Sequence, residues 1–241
     1  MAILNIDQWL DGSKVFKNRI GAVGIELEGG WLKAPKTGHI VRDGSVTGMD
    51  NYGLYGVGEI ALGPMEVCEI DSSVRSAMPS HVNETCGLHI HMSFRLLQHY
   101  INLMHVDFQD TMIEYLKRWG ETNKIPKSHT FWSRLRGESD YCQLKFWPDA
   151  QVSQTKKNYH RDYEGHRYTA INFCYGQHGT LEVRVLPMFN TPELCVSALN
   201  MVCDITNGCL AKLSKHRPRT VDGVIEFGDN GVIRDEVVSL L

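Results

Sequence analysis

Three short runs, far apart in the chain, place charged or imidazole side chains at alternate positions: Gly24-Ile-Glu-Leu-Glu28, Gly87-Leu-His-Ile-His91 and Thr180-Leu-Glu-Val-Arg184. Period-two alternation is the signature of a β-strand, in which residues i and i+2 project to the same face. Each run therefore lays two polar side chains together on one sheet face and apolar ones on the other. A face lined by Glu26, Glu28, His89, His91, Glu182 and Arg184 is costly to bury dry. An alternating strand can also simply turn its polar face to water, and Glu-x-Glu alone is commonly no more than that. The joint occurrence of three such runs favours divalent cations among the carboxylates and imidazoles, with Arg184 facing an anionic substrate.

The 241-residue chain is long enough for a substantial core and is read as a single domain spanning 1–241. Its formal charge of −3 gives no reason to expect general nucleic-acid or membrane binding. Seven cysteines, an odd number without Cys-x-x-Cys spacing, fit neither a disulfide framework nor a zinc ribbon, so reduced, mostly buried thiols in a cytoplasmic protein are expected. The start, Met-Ala-Ile-Leu-Asn-Ile-Asp, lacks the basic segment and apolar run of a signal peptide. No stretch reads as apolar enough to span a bilayer, so a soluble protein is expected.

The order of elements follows from periodicity. Ile20 to Leu32 reads as a strand, His39 to Val46 as a strand entering the Asp43-Gly-Ser45 turn, and Val57 to Leu62 as a short strand broken by Gly63-Pro64. Asp71 to His81 suggests a short helix before the His-x-His strand. From Arg95 to Trp119 apolar residues recur at steps of three and four, predicting one long amphipathic helix ended by Gly120. Residues 121–166 lose that periodicity and read as a loop-rich excursion, with Trp132, Arg134, Arg136, Lys156 and Lys157 on a solvated loop. Two strands, Arg167 to Phe173 and Gly179 to Leu186, read as a hairpin. A helix then opens at Thr191-Pro-Glu, and the tail reads as a final hairpin or a loosely packed strand. The sum is an α+β fold: an antiparallel or mixed sheet, helices on its outer face and the polar motifs on the opposite one.

Gly87-Leu-His-Ile-His-Met-Ser and Gly179-Thr-Leu-Glu-Val-Arg-Val-Leu-Pro, preceded by Gly24-Ile-Glu-Leu-Glu, resemble carboxylate-amine ligases of the glutamine synthetase fold, in particular the amidoligase branch with its compact phage-encoded COOH-NH2 ligases. The resemblance runs in order from about Val23 to Glu193. It implies an antiparallel sheet shaped as a funnel, with two or three magnesium ions bridging ATP and an acidic substrate. Carried over position by position, Glu26, Glu28, Glu59, His89 and Glu182 match metal ligands, and His91 looks like the histidine facing the nucleotide phosphates. Arg184 matches the arginine that holds the carboxylate or the transferred phosphoryl group, and Arg167 and Asn172 look like the family's Arg and Asn ahead of the acidic strand. Asp43 with Ser45 resembles its Asp-x-Ser turn. Arg136 is the favoured loop cation to offset phosphate charge, and Glu66 is a further candidate ligand. After Glu59 the chain reads Ile-Ala-Leu-Gly-Pro where many relatives have Ser-Pro-Pro, a departure on the substrate side of the pocket.

The implied chemistry suits the residues. A carboxylate resists amine attack because its leaving group is poor; phosphorylation by ATP yields an acyl phosphate that an amine can displace. Phosphoryl transfer between anions needs charge neutralisation and alignment from Mg²⁺ and arginine rather than a protein nucleophile. Carboxylate donors suit Mg²⁺, with Mn²⁺ as the alternative, and tolerate an imidazole. The competing readings are a metal-dependent hydrolase, disfavoured by the excess of Glu over His, and an inactive nucleotide-binding relative, disfavoured because none of the matched residues is lost. Acid and amine substrates, small or peptidic, are left open, as is the oligomeric state, homo-oligomers included.

Overall fold

The structure, a computed structural model, describes residues 19–49, 52–104, 106–140, 142–144, 168–174, 178–213, 219–221, 224–227 and 231–234. A five-stranded antiparallel sheet runs in the order β2-β1-β3-β5-β4, built from β1 (Ile20–Trp31), β2 (Gly56–Met65), β3 (Gly87–Phe94), β4 (Ile171–Cys174) and β5 (Thr180–Pro187). The helices are α1 (Ile70–Ala77), α2 (Leu97–Leu103), α3 (Val106–Thr122), α4 (Thr130–Arg134) and α5 (Pro192–Leu213). The α+β class is as expected. A separate three-stranded antiparallel sheet joins β6 (Arg219–Val221), β7 (Val224–Phe227) and β8 (Gly231–Arg234), one strand more than a hairpin.

Alternation sorts the sheet into two faces. Val23, Ile25 and Leu27 of β1, Leu88, Ile90 and Met92 of β3, and Leu181 and Val183 of β5 are buried in one core with residues of α1, α3 and α5. Each such side chain contributes roughly 1.5–3 kcal/mol when fully buried, which pins the registers: a slip of one residue would drive the acidic face into this core. Thr191 opens α5 as expected, its Oγ1 accepting from the Leu194 N–H at 3.4 Å. Helix α5 packs on α1, α2 and α3. The span Pro192–Ala211 has a mean hydropathy of 1.4 and is long and apolar enough to cross a membrane by length and composition, contrary to the sequence reading; here 67% of it is buried inside the fold.

Several local expectations are corrected. Strand β2 does not stop at Gly63-Pro64 but runs on to Met65. The register slips between Val23↔Met65 and Ile25↔Leu62, so a bulge absorbs the extra residue on an edge strand, where proline's missing N–H costs no ladder bond. His39 to Val46 is not a strand; only Val41 bridges Glu59, each N–H donating to the other's carbonyl at 2.8 Å. The long helix is two, α2 and α3, with Asp107 in the first turn of α3, a start signal that apolar spacing alone overlooks. Gly120 does not end α3. A Cβ there would overlap the Phe131 ring, so glycine is the residue that lets α4 approach. The helix runs on to Thr122 and is closed just beyond by Lys124, in the left-handed region at φ 54°, with Lys124 N–H donating to Glu121 at 3.1 Å and Ile125 N–H to Gly120 at 2.9 Å. The first part of 121–166 is core: Ile125, Phe131, Trp132, Arg134 and Leu135 are buried rather than solvated.

Candidate metal centre

Strand pairing assembles the polar motifs into one row. Glu59 of β2 lies opposite Glu28 of β1, Glu26 opposite His89 of β3, and His91 opposite Glu182 of β5, which in turn faces Asn172 of β4. Each pair falls on the face away from the core because each belongs to the polar parity of its strand. Five strands thus bring seven sequence-predicted residues together, with Arg184 one alternate position beyond Glu182.

Two groups of three side chains have donor atoms within 4.8 Å of one another: Glu26, His91 and Glu182, and Glu28, Asp43 and Glu59. In the first, His91 Nε2 stands 3.1 Å from Glu26 Oε1 and 3.7 Å from Glu182 Oε1, and its Nδ1 meets Thr180 Oγ1 at 3.1 Å. The Thr180 contact leaves Nε2 as the nitrogen turned to the carboxylates. Glu182 is held from behind by Arg184 Nη1 at 2.7 Å on Oε1 and by Asn172 Nδ2 at 3.1 Å on Oε2. In the second, Glu28 accepts from the Gly87 N–H through Oε2, and Asp43 Oδ1 accepts from the N–H and hydroxyl of Ser45 at 2.7 and 2.8 Å. The Val41 bridge to Glu59 is what brings Asp43 to this group. His89, expected as a metal ligand, lies between the two groups instead: Nδ1 is 2.9 Å from Glu26 Oε2 and Nε2 is 3.7 Å from Glu28 Oε1. The imidazole that completes a triad is that of His91.

Electrostatics follow from crowding. Burial alone would raise the Glu26 pKa, but hydrogen bonds from His89 and His91 outweigh it and hold the carboxyl well below the usual range. Glu182 is likewise pushed up by burial and brought down further by Arg184, His91 and His89. Burial opposes charge on Arg184 and His91, yet the surrounding carboxylates raise both. At Glu59 the balance is reversed: burial, then Glu26, Asp43 and Glu28, push it up to about 7 against a smaller opposing effect of His89. Its half-site repels its own charge, the situation a divalent cation relieves. All-oxygen donors at the second group and a carboxylate-imidazole set at the first fit Mg²⁺ or Mn²⁺ rather than a thiolate-seeking metal. Two buried polar atoms in the row, Asn172 Oδ1 and Arg184 Nε, have no hydrogen-bond partner, as expected of groups shaped for a ligand.

Other expected residues stand elsewhere. Arg136 is exposed and its guanidinium is paired with Glu138 at 2.6 and 2.7 Å, so no contact ties it to the row. Glu66 is exposed and caps the turn at Val67–Glu69, its N–H donating to Glu69 at 2.7 Å. Arg167, Lys156 and Lys157 lie outside the described residues. Sequence reasoning did not single out Thr180 and Gly87 as working residues. Both sit two positions from a chosen one, on the same face of the same strand, so alternation itself was the signal that pointed to them. No family model, no curated protein and no solved structure matches this chain.

Proposed function

We propose that the protein is an ATP- and divalent-cation-dependent carboxylate-amine ligase, its sheet forming the inner wall of a glutamine synthetase-like funnel. The observation that carries this reading is the pair of neighbouring three-residue groups, each with donor atoms close enough to share one cation and each containing one of the alternate glutamates of β1, with Arg184 on Glu182. Phosphoryl transfer from ATP to a carboxylate needs several negative charges gathered at one place and aligned, which two neighbouring hard-cation sites and an arginine suit better than one histidine-rich site does. In this reading Glu26, His91 and Glu182 hold one Mg²⁺ and Glu28, Asp43 and Glu59 the other, and Mg²⁺ supplies charge neutralisation of the phosphates. Arg184, held by Glu182, presents its guanidinium to the acid's carboxylate or to the transferred phosphoryl oxygens. Asn172 offers its free Oδ1 to an N–H of the nucleotide or the amine. The acid's oxygen takes the γ-phosphoryl group and ADP leaves; the amine nitrogen then attacks the acyl carbon, phosphate departs and the amine proton passes to solvent or to phosphate.

Calorimetric titration of a non-hydrolysable ATP analogue tests this directly. Binding is expected with Mg²⁺, absent with EDTA, and weakened at least tenfold in Glu182→Ala. Nucleotide binding that ignores Mg²⁺ and Glu182, or no binding with any divalent cation, would remove the ligase reading and move a hydrolase to the front.

A further inference from the structure

Arg134 is a charged side chain only 4% exposed, on a helix of five residues packed against β5. Its partners are not carboxylates but two backbone carbonyls on neighbouring strands: Nη1 donates to Leu186 at 3.2 Å and Nη2 to Cys86 at 3.1 Å. A buried guanidinium is costly to keep, and two carbonyl bonds are a modest return for it. The carbonyls it grips flank the point where Gly87 pairs with Pro187, and the Gly87 N–H donates to Glu28 Oε2. The space around Gly87 is closed: a Cβ there would overlap His89 Nε2 and approach Glu28 Oε2 at 3.1 Å. Any shift of this backbone therefore moves the Glu28 carboxylate.

We propose that Arg134 is the positioning residue of the Glu28, Asp43, Glu59 half of the site. Its fork clamps the ends of β3 and β5, which aims the Gly87 N–H at Glu28. The assignment rests on the two-cation reading above. It predicts an asymmetry that a general structural role does not: loss of Arg134 weakens one cation group and leaves the Glu26, His91, Glu182 group intact. Lysine cannot replace it, because a single ammonium on a flexible stem does not span two carbonyls in a fixed plane.

The test is titration of the full-length protein with Mn²⁺, following free Mn²⁺ by electron paramagnetic resonance. Wild type is expected to bind two ions. Arg134→Lys and Arg134→Met are expected to weaken one of them 10- to 100-fold, the range for residues that orient metal ligands, and to leave the other within about threefold of wild type. Glu59→Gln should lose the same ion, and adding Arg134→Lys to it should cost the remaining ion nothing. Gly87→Ala, which leaves Arg134 in place, should lose that ion too. If Arg134→Met does not fold, Arg134→Lys decides. Two ions bound with wild-type affinity by Arg134→Lys, or an equal loss at both sites, overturns the assignment of Arg134 alone. Failure of wild type to bind Mn²⁺ at all overturns the two-cation reading as well.

Discussion

At the scale of the residue, Glu59 is the group whose state should respond to pH. Its pKa stands at about 7 against an ordinary 4.5, with burial and three neighbouring carboxylates as the cause. The folded protein thus holds a proton that the unfolded chain has lost between those values. Its contribution to stability is fully present below about pH 4.5 and is lost as pH rises through 7. Glu59→Gln removes the cost of that charge, so without metal the variant should be more stable than wild type by about 1–2 kcal/mol at pH 8, after discounting for the half-exposure of the group, and indistinguishable near pH 4.5. Thermal melts in EDTA at the two pH values check this; equal melting temperatures at pH 8 would refute it. The same proton competes with a cation, so Mn²⁺ affinity of the Glu28, Asp43, Glu59 group should rise with pH between 6 and 8. Nothing in the one-dimensional pattern singles out Glu59 in this respect. The carboxylates that crowd Glu59 come from β1 and from the Asp43 turn, neighbours remote in sequence.

At the scale of the element, glycine and lysine exchange their usual roles around the end of α3. Alanine in place of a helical glycine ordinarily stabilises by roughly 0.5–1 kcal/mol. At Gly120, however, the added methyl would meet Phe131 and Trp132, and overpacking of this kind costs about 1–3 kcal/mol. Gly120→Ala should therefore lower the melting temperature, while Lys124→Gly, at φ 54°, should raise stability by about 0.5–1 kcal/mol. Urea unfolding of both variants decides, and a stabilised Gly120→Ala would mean that α4 does not pack where it is described. Glycine at the end of an apolar stripe reads as a helix stop from sequence, because the ring it accommodates lies eleven residues on and has no periodic relation to it. The break between α2 and α3 escaped for a similar reason, since the apolar spacing carries on across it.

For the molecule as a whole, gathering Glu26, Glu28, Glu59 and Glu182 on one face of a sheet, with Asp43 beside them, makes the fold a reservoir of electrostatic repulsion that a bound cation relieves. A ligand that binds only the folded state stabilises by about 2.7 kcal/mol at a hundred times its dissociation constant. Saturating Mg²⁺ or Mn²⁺ should thus raise the melting temperature by several degrees, EDTA should reverse it, and Glu59→Gln combined with Glu182→Gln should abolish it; an unchanged melt in wild type would argue against either cation site. The polar face of the sheet was legible because alternation is a property of each strand alone, independent of its partners. So were the α+β class, the start of α5 at Thr191 and the identity of most residues in the row. Which residues meet was not legible: pairing Glu26 with His89 and His91 with Glu182 depends on registers set by apolar burial across strands sixty to ninety residues apart in the chain. Tertiary structure alone moved His91 into a triad and His89 between triads, folded Asp43 back beside Glu59, and buried Arg134 behind Glu28. Local periodicity records which face a side chain takes, whereas the distance between two side chains is decided by long-range packing that no local pattern contains.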